Sequence, residues 1–283
     1  MFTALASTSI AQVVSSQSVA SRDFSFLQVS CDHRIATVLL RRPPVNAVSQ
    51  EMYAEIHDLF AHFDELLPDA SVVILRGEGK HFSAGNDLAE FMTLTSENSP
   101  ERMKLVRETF AAIYDCPVPV IAAVQGSALG TGVALAGSCD LVICAESARF
   151  GTPEVGVGVM GAAKHLSRLV PQQVVRRMYY TADPVCGRDL IQYGGVVEVV
   201  PDEQLIDAAT ALAARIARHS PVALRTAKES LNTIEYMELK PGYEFEQSLT
   251  SRLADSEDSR EARRAIIEKR APRYGSRVGL AAG

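Results

Sequence analysis

Short apolar runs alternate with segments of helical period along the first part of the chain. Runs bounded by turn-forming residues predict strands at 24–30, 35–40, 72–76, 120–124 and 141–144. The first two runs are separated by Asp32-His33 and predict a hairpin. Between the later runs, apolar residues with helical spacing predict amphipathic helices at 52–67 and 103–113. This order of strands and helices favours an α/β core with parallel crossover connections.

The second part of the chain is predicted to be mainly helical. Helices are expected at 162–169, 172–180 and 188–193, followed by a strand at 196–200. From Asp202 onward the pattern predicts helix, with breaks at Ser220-Pro221, Pro241-Gly242 and Ser256. We therefore predict a core over residues 24–215 and a C-terminal helical region over residues 216–283.

The N-terminal segment has a different composition from the rest of the chain. Residues 1–22 are rich in Ser and Ala, contain no acidic residue and carry a single Arg. A transit peptide has a similar composition, but one basic residue supports that interpretation weakly. We favour a disordered N-terminal extension over residues 1–23.

Two glycine-containing turns carry the candidate chemistry. One is Gly130-Thr131-Gly132, which follows a strand and begins a helix of small residues, with Glu154 some twenty residues later. The other is the loop 81–88, which also follows a predicted strand. Free backbone N–H groups at such turns suit an oxygen that gains negative charge during a reaction. An isolated turn of this kind is more often a tight strand-to-helix connection.

Composition and charge limit the function classes. The 283 residues are 47% hydrophobic and 22% charged, as in an ordinary globular protein large enough for a sizeable core. The net charge of -6 disfavours nonspecific nucleic-acid binding, and no apolar stretch reaches the roughly 18–20 residues of a membrane-spanning helix. The five cysteines are odd in number and show no CxxC spacing, which favours reduced thiols and a cytoplasmic location. The sequence predicts no metal site.

Four motifs occur in a defined order: SAGNDL, ALGTG, GSCD and FGTPE. With LRRPPVNAV near the start and TAKES and EKR near the end, they make the chain from about Phe26 to Lys269 resemble the crotonase (enoyl-CoA hydratase/isomerase) superfamily. The resemblance implies a spiral of ββα units with a C-terminal helical region that assembles into trimers or dimers of trimers. It also implies an acyl-CoA substrate, with coenzyme A as part of that substrate and no separately bound cofactor.

The resemblance also implies roles for individual residues. The backbone N–H groups of Asn86 and Thr131 match an oxyanion hole for the thioester oxygen, and Glu154 matches the carboxylate that acts as acid and base. A surface glutamate before a turn is the alternative for Glu154. Positions that match substrate or coenzyme A contacts are Val45, Ala47, Ala84, Asp87, Leu88, Gly130 and Lys269. For Lys269, a solvated helix lysine is an equal alternative.

One position departs from the hydratase pattern. Hydratases of this family carry a second glutamate where this chain has Ala134. Adding water across a double bond uses both carboxylates, whereas a single base beside an oxyanion hole suffices to move a proton between carbons 2 and 4. We therefore favour isomerisation over hydration. A non-catalytic acyl-CoA binding protein and other crotonase reactions, namely thioester hydrolysis, decarboxylation and ring cleavage, stay open as alternatives.

Two further polar positions have simpler interpretations. Asp140, in the GSCD motif, is predicted to anchor backbone groups of the core. Lys164 and His165 stand where relatives usually have small residues, so they are predicted to shape the acyl pocket.

Overall fold

The structure, a computed structural model, describes residues 22–275. The N-terminal residues 1–21 lie outside this range, so most of the predicted extension lies outside the described residues. Within the range the chain forms nine strands: β1 (Leu27–Asp32), β2 (Ile35–Leu40), β3 (Val72–Gly77), β4 (Val120–Val124), β5 (Ser127–Leu129), β6 (Leu141–Ala145), β7 (Arg149–Gly151), β8 (Val185–Cys186) and β9 (Glu198–Val200).

Helices connect and cover these strands. Over the same described range they are α1 (Gln50–Ala61), α2 (Phe63–Leu66), α3 (Leu88–Phe91), α4 (Ser99–Tyr114), α5 (Thr131–Ser138), α6 (Ala163–Leu166), α7 (Gln172–Thr181), α8 (Gly187–Ile191), α9 (Leu205–Ala217), α10 (Pro221–Ile234), α11 (Leu239–Ala254) and α12 (Glu257–Ile267). Two single 3₁₀ turns occur at Pro153–Val157 and Asp202–Gln204. None of the described helices is long and apolar enough to cross a bilayer.

The strands form two sheets. The larger has the order β1-β2-β3-β4-β6-β9, in which β1 and β2 pair antiparallel and the other pairs are parallel. The smaller has the order β5-β7-β8. The predicted hairpin and parallel crossovers are therefore confirmed, and the architecture is the mixed α/β fold that the sequence indicates. The small sheet was not predicted, because strands of two or three residues leave no readable periodicity.

The buried strand β4 explains how the core is arranged. All five of its residues are buried, and successive side chains point to opposite faces of the sheet. Val120, Ala122 and Val124 join the main apolar cluster, which also contains residues of α1, α4 and α5, whereas Ile121 and Ala123 join a second cluster with α9. A continuous apolar run is what a parallel strand covered on both faces requires.

The C-terminal helices follow the prediction with one correction. The predicted break at Pro241-Gly242 is wrong, because both residues lie inside α11. Pro241 occupies the first turn of that helix, where a backbone N–H has no intrahelical acceptor and its loss costs little. The interruption between α10 and α11 falls instead at residues 235–238. The division of the chain near residue 215 stays a prediction.

A partly buried ion pair attaches α10 to the sheet. Lys228, only 4% exposed, places its Nζ 2.6 and 2.7 Å from the two carboxylate oxygens of Asp140. Asp140 Oδ2 also accepts the Val120 N–H at 2.7 Å. The predicted anchoring role of Asp140 is confirmed, and Lys228 of the TAKES motif is its partner.

Candidate active site

Glu154 is positioned by the small sheet. Strands β5 and β7 pair in parallel and end together at Leu129 and Gly151. Just beyond them the Gly130 N–H donates to the Gly151 carbonyl at 2.9 Å. The chain then enters the 3₁₀ turn that carries Glu154, so its carboxylate lies against the Gly130 turn. A Cβ placed on Gly130 would be only 3.2 Å from Glu154 Oε1. Glycine is therefore required at 130 both for this approach and for its φ of 51°.

The carboxylate of Glu154 is buried and under-solvated. The residue is 8% exposed, and its Oε2 has no hydrogen-bond partner among the described residues. Burial raises the pKa of Glu154 above its ordinary value, because removal from water disfavours the charged form. A carboxylate in this state is a stronger base than a solvated one and is suited to moving a proton at a bound substrate.

Two backbone amides near this carboxylate are free. The loop that carries Asn86 is held on either side, since Val48 N–H donates to Gly85 O at 2.8 Å and Asp87 N–H donates to Val48 O at 3.0 Å. Within residues 22–275, the N–H groups of Asn86 and Thr131 donate to no protein acceptor. Thr131 is the first residue of α5, where helical N–H groups lack intrahelical partners. These are the two amides that the sequence proposes for the oxyanion hole.

A buried tyrosine that sequence reasoning missed joins the two amide-bearing residues. The Tyr53 hydroxyl, on α1, lies 2.8 Å from Asn86 Oδ1 and 2.7 Å from Thr131 Oγ1, and these last two atoms are 3.0 Å apart. Tyr53 is 1% exposed, and burial raises the pKa of its hydroxyl. The sequence feature that could have indicated this contact is a tyrosine on the apolar face of a helix, because its buried hydroxyl needs a hydrogen-bond partner.

The residues proposed for coenzyme A contact lie largely in two adjoining segments. Ala84 N–H donates to Val45 O at 2.9 Å, which places residues 45–48 beside residues 84–88. Ala47 and Ala84 are partly exposed, and Leu88 is 72% exposed.

Asp87, in the second of these segments, is already engaged by the protein. It accepts the Glu90 N–H as the cap of α3, and its Oδ2 lies 2.6 Å from Arg42 Nη2. These two contacts, in that order, lower the pKa of Asp87. Asp87 therefore organises the loop, and any contact with substrate is additional to that task.

Lys269 is not brought to this site by contacts within the chain. It is exposed just beyond α12, and α12 packs against α10 and α11. Its role in holding coenzyme A stays a prediction.

With Ala134 in place of a glutamate, Glu154 is the one buried carboxylate of the site among residues 22–275. Ala134 lies one turn into α5, where its N–H donates to Gly130 O at 3.0 Å, and it is 1% exposed. Among the described residues, no group of His, Cys, Asp or Glu side chains could hold a metal ion. The arrangement offers two main-chain donors and one base, which suits reactions through an enolate or another oxyanion.

His165 lies beside this region, whereas the Lys164 Nζ lies over the Tyr236 ring, 4.5 Å from its centroid. The His165 ring packs on Phe110 at a centroid distance of 4.8 Å, and Phe110 packs edge-on against Tyr53. Burial, Arg168 and Lys164 lower the pKa of His165 to about 4, so its imidazole is neutral at pH 7.

Comparison with known proteins finds similarity over most of the chain. The sequence pattern of the enoyl-CoA hydratase/isomerase family matches residues 31–277. A (7aS)-7a-methyl-1,5-dioxo-2,3,5,6,7,7a-hexahydro-1H-indene-carboxyl-CoA hydrolase from Rhodococcus jostii is 40% identical over 243 residues, which cover 86% of this chain and 94% of that protein. The 2,3-dehydroadipyl-CoA hydratase of Escherichia coli is 33% identical over 260 residues, covering 89% of this chain and 100% of that protein.

The solved structures lead to the same family. An enoyl-CoA hydratase from Bacillus anthracis superposes with a TM-score of 0.82 at 30% identity, covering 92% of this chain and 100% of that one. The activities named for these three relatives are hydrolysis and hydration, and they lend no support to the preference for isomerisation. What they share is action on coenzyme A esters. The chain therefore belongs to the enoyl-CoA hydratase/isomerase family of the crotonase superfamily and is an enzyme of coenzyme A thioesters.

Proposed function

We propose that this enzyme hydrolyses a carbon–carbon bond in a 3-oxoacyl-CoA thioester, with Glu154 as its single acid and base. The observation that carries the proposal is the lone buried carboxylate of Glu154 beside two free amides, with Ala134 in the place of a second glutamate. The similarity to a hydrolase whose substrate bears two oxo groups and a carboxyl-CoA supports the same conclusion.

The reaction balances with water as the only co-reactant. Glu154 takes a proton from water, and the water oxygen adds to the ketone carbon. The bond between that carbon and the thioester α-carbon then breaks, and its electron pair moves into the thioester as an enolate. The N–H groups of Asn86 and Thr131 hold the enolate oxygen. Glu154 finally delivers its proton to the α-carbon, which leaves a carboxylic acid and an intact thioester.

One carboxylate is sufficient for this sequence because its two proton transfers occur one after the other. Glu154 is deprotonated when water is activated and protonated when the α-carbon needs a proton. In hydration of a double bond, by contrast, water activation and proton delivery at carbon 2 normally involve two carboxylates around one water molecule. The buried Ala134 supplies no such group.

The test uses 2-oxocyclohexanecarboxyl-CoA, a cyclic 3-oxo thioester, as substrate. Mass spectrometry should detect one product, heavier by one water and still carrying coenzyme A, and E154A should abolish its formation. Release of free coenzyme A instead would indicate thioester hydrolysis and contradict the proposal. If E154A and the wild type are equally inert with a panel of such esters yet bind them, the proposed hydrolysis is wrong.

Isomerisation is the second candidate, because a lone base beside an oxyanion hole also moves a proton between carbons 2 and 4. The wild type would be supplied separately with a 3-enoyl-CoA and a 2-enoyl-CoA, and the products resolved by chromatography. Rapid conversion of the 3-enoyl ester, with no cleavage of the cyclic oxo ester, would favour isomerisation over hydrolysis. Fast hydration of the 2-enoyl ester would contradict both functions.

We further propose assembly as a homotrimer or a dimer of trimers, with Lys269 contacting coenzyme A phosphates of the same or a neighbouring subunit. Light scattering on the purified protein tests the first statement. A raised Kd for coenzyme A in K269A, with unchanged mass in solution, tests the second. A cytoplasmic location is also proposed, because the five cysteines are free thiols, and it is tested by cell fractionation.

A further inference from the structure

The side chain of Asn86 is held in a defined orientation by two hydroxyl groups. Its Oδ1 lies within hydrogen-bond distance of both Tyr53 Oη and Thr131 Oγ1, and those two oxygens also contact each other. Three polar atoms thus form a closed triangle with sides of 2.7, 2.8 and 3.0 Å. Tyr53 and Thr131 are 1% and 6% exposed, so water does not readily replace these contacts.

Counting protons decides which end of the Asn86 amide faces the triangle. With Oδ1 inside, the Tyr53 proton goes to Asn86 and the Thr131 proton goes to either neighbour, so both hydroxyl protons have acceptors. With the amide reversed, its NH₂ group would bring two more protons to the two hydroxyl oxygens. One buried hydroxyl proton would then lack an acceptor, which is costly. The triangle therefore selects Oδ1 inside and NH₂ outside.

The outward NH₂ group is unused by the protein. Asn86 is an exposed residue, and no acceptor for its Nδ2 occurs within residues 22–275. Its backbone N–H is one of the two free amides of the site. The same residue thus presents a main-chain donor and a rigidly held side-chain donor next to each other.

We propose that the Asn86 carboxamide is a further catalytic group, whose NH₂ donates to the ketone oxygen of a 3-oxoacyl-CoA while the backbone amides hold the thioester oxygen. Tyr53 is its positioning residue. The two carbonyl groups of such a thioester are separated by one carbon, so they need two neighbouring sets of donors. This inference rests on the proposed function for its substrate class, but it is tested by binding and does not need turnover.

The experiment compares two ligands of similar size, acetoacetyl-CoA with a ketone and butyryl-CoA without one. Their Kd values are measured by isothermal titration calorimetry on the wild type, N86L, N86D and Y53F. The wild type should bind acetoacetyl-CoA more tightly. N86L and N86D should weaken acetoacetyl-CoA binding by about tenfold or more beyond any change in butyryl-CoA binding, because only the ketone loses its donor.

Y53F should reduce the preference for the ketone by a smaller factor, because Thr131 still holds Asn86 Oδ1. Y114F is the control: it removes the hydroxyl of Tyr114, a half-buried residue whose hydroxyl donates to Glu235 and the Asn232 carbonyl, and should leave the ratio of the two Kd values unchanged.

The inference is overturned if N86L keeps the wild-type ratio, if both ligands weaken equally, or if the wild type shows no preference. If N86L loses the preference for acetoacetyl-CoA over butyryl-CoA while the wild type does not cleave the cyclic oxo ester, the proposed hydrolysis is wrong. The role of Asn86 in binding the ketone is then still supported.

Discussion

Burial sets the chemistry of Glu154 at the scale of the single residue. The residue is 8% exposed, and one of its carboxylate oxygens has no hydrogen-bond partner in the described chain. The charged form of this carboxylate is therefore less stable in the protein than in water. The same penalty makes it a better base and a source of instability. Active sites commonly show this trade-off between activity and stability.

The pH dependence of activity follows from the raised pKa of Glu154. The base must be ionised in the free enzyme, so kcat/KM should fall as the pH drops through a pKa above the ordinary glutamate value of 4.5. E154Q should lower kcat by roughly 10²–10⁴-fold across the whole range. Stopped-flow or mass-spectrometric rates between pH 4 and 9 check this prediction. A wild-type kcat/KM that does not fall at acidic pH would contradict this prediction.

Stability should change in the opposite direction. Because the folded-state pKa of Glu154 is raised, its carboxyl group is neutral in both states at low pH and carries no penalty there. As the pH rises above the pKa of Glu154 in the unfolded state, burial of the charge begins to reduce the stability of the folded protein. The loss is complete once the pH exceeds the pKa in the folded state. E154Q should therefore have a higher Tm than the wild type at pH 7, with the difference shrinking towards pH 4. Equal Tm differences at both pH values, measured by calorimetry, would refute this account.

At the scale of secondary-structure elements, the junction between β5 and α5 creates the site. Strand pairing of β5 with β7 fixes Gly130 opposite the turn that bears Glu154, and the start of α5 leaves the Thr131 amide free. α1 contributes the hydroxyl that ties this junction to the Asn86 loop. The β5–α5 junction, strand β7 and helix α1 thus together determine the geometry around one carboxylate.

G130A tests this junction. Gly130 has φ 51° and ψ -109°, which residues with a side chain rarely adopt, and the new methyl would lie 3.2 Å from Glu154 Oε1. We expect a loss of about 1–3 kcal/mol in unfolding free energy and a large fall in kcat from the displaced carboxylate. G79A is the control, since Gly79 also has a positive φ, of 73°, but an added Cβ there meets no atom within 4 Å. Similar kcat values in both variants would disprove the proposed contact.

The whole molecule depends on how the C-terminal helices attach to the sheet. Lys228 of α10, which is buried, pairs with the half-buried Asp140 before β6, and Asp140 also accepts the first N–H of β4. Such a pair contributes little net energy when intact, because desolvation offsets the attraction. Removing one partner leaves an uncompensated charge and is strongly destabilising.

K228M should lower the unfolding free energy by about 3 kcal/mol, because Asp140 would lose its cation while staying in place. R252M is the matched control: Arg252 pairs with Glu229 on the surface, where both side chains are largely exposed, and its loss should cost at most about 1 kcal/mol. Urea unfolding of both variants measures the difference. A K228M effect no larger than that of R252M would show that the pair is not needed.

Prediction succeeded where one local pattern had one structural outcome. The apolar run of β4, buried on both faces, could only be a central strand or a core helix, and its length favoured the strand. Prediction failed where tertiary contacts chose the outcome. Strands β5, β7 and β8 are too short to be recognised. The sequence predicts a break at Pro241 because the position of a proline in a first turn depends on where the preceding helix ends.

By itself the sequence determined the α/β order of elements, the family through its glycine and FGTPE motifs, and the absence of a second glutamate at Ala134. These features are local, since they depend on residue type and spacing along the chain. Only the tertiary structure decided that the Glu154 carboxylate lies against Gly130, that Tyr53 joins Asn86 to Thr131, and that Lys228 meets Asp140. Each of these contacts joins residues more than twenty positions apart, and their distance is fixed by strand register and helix packing.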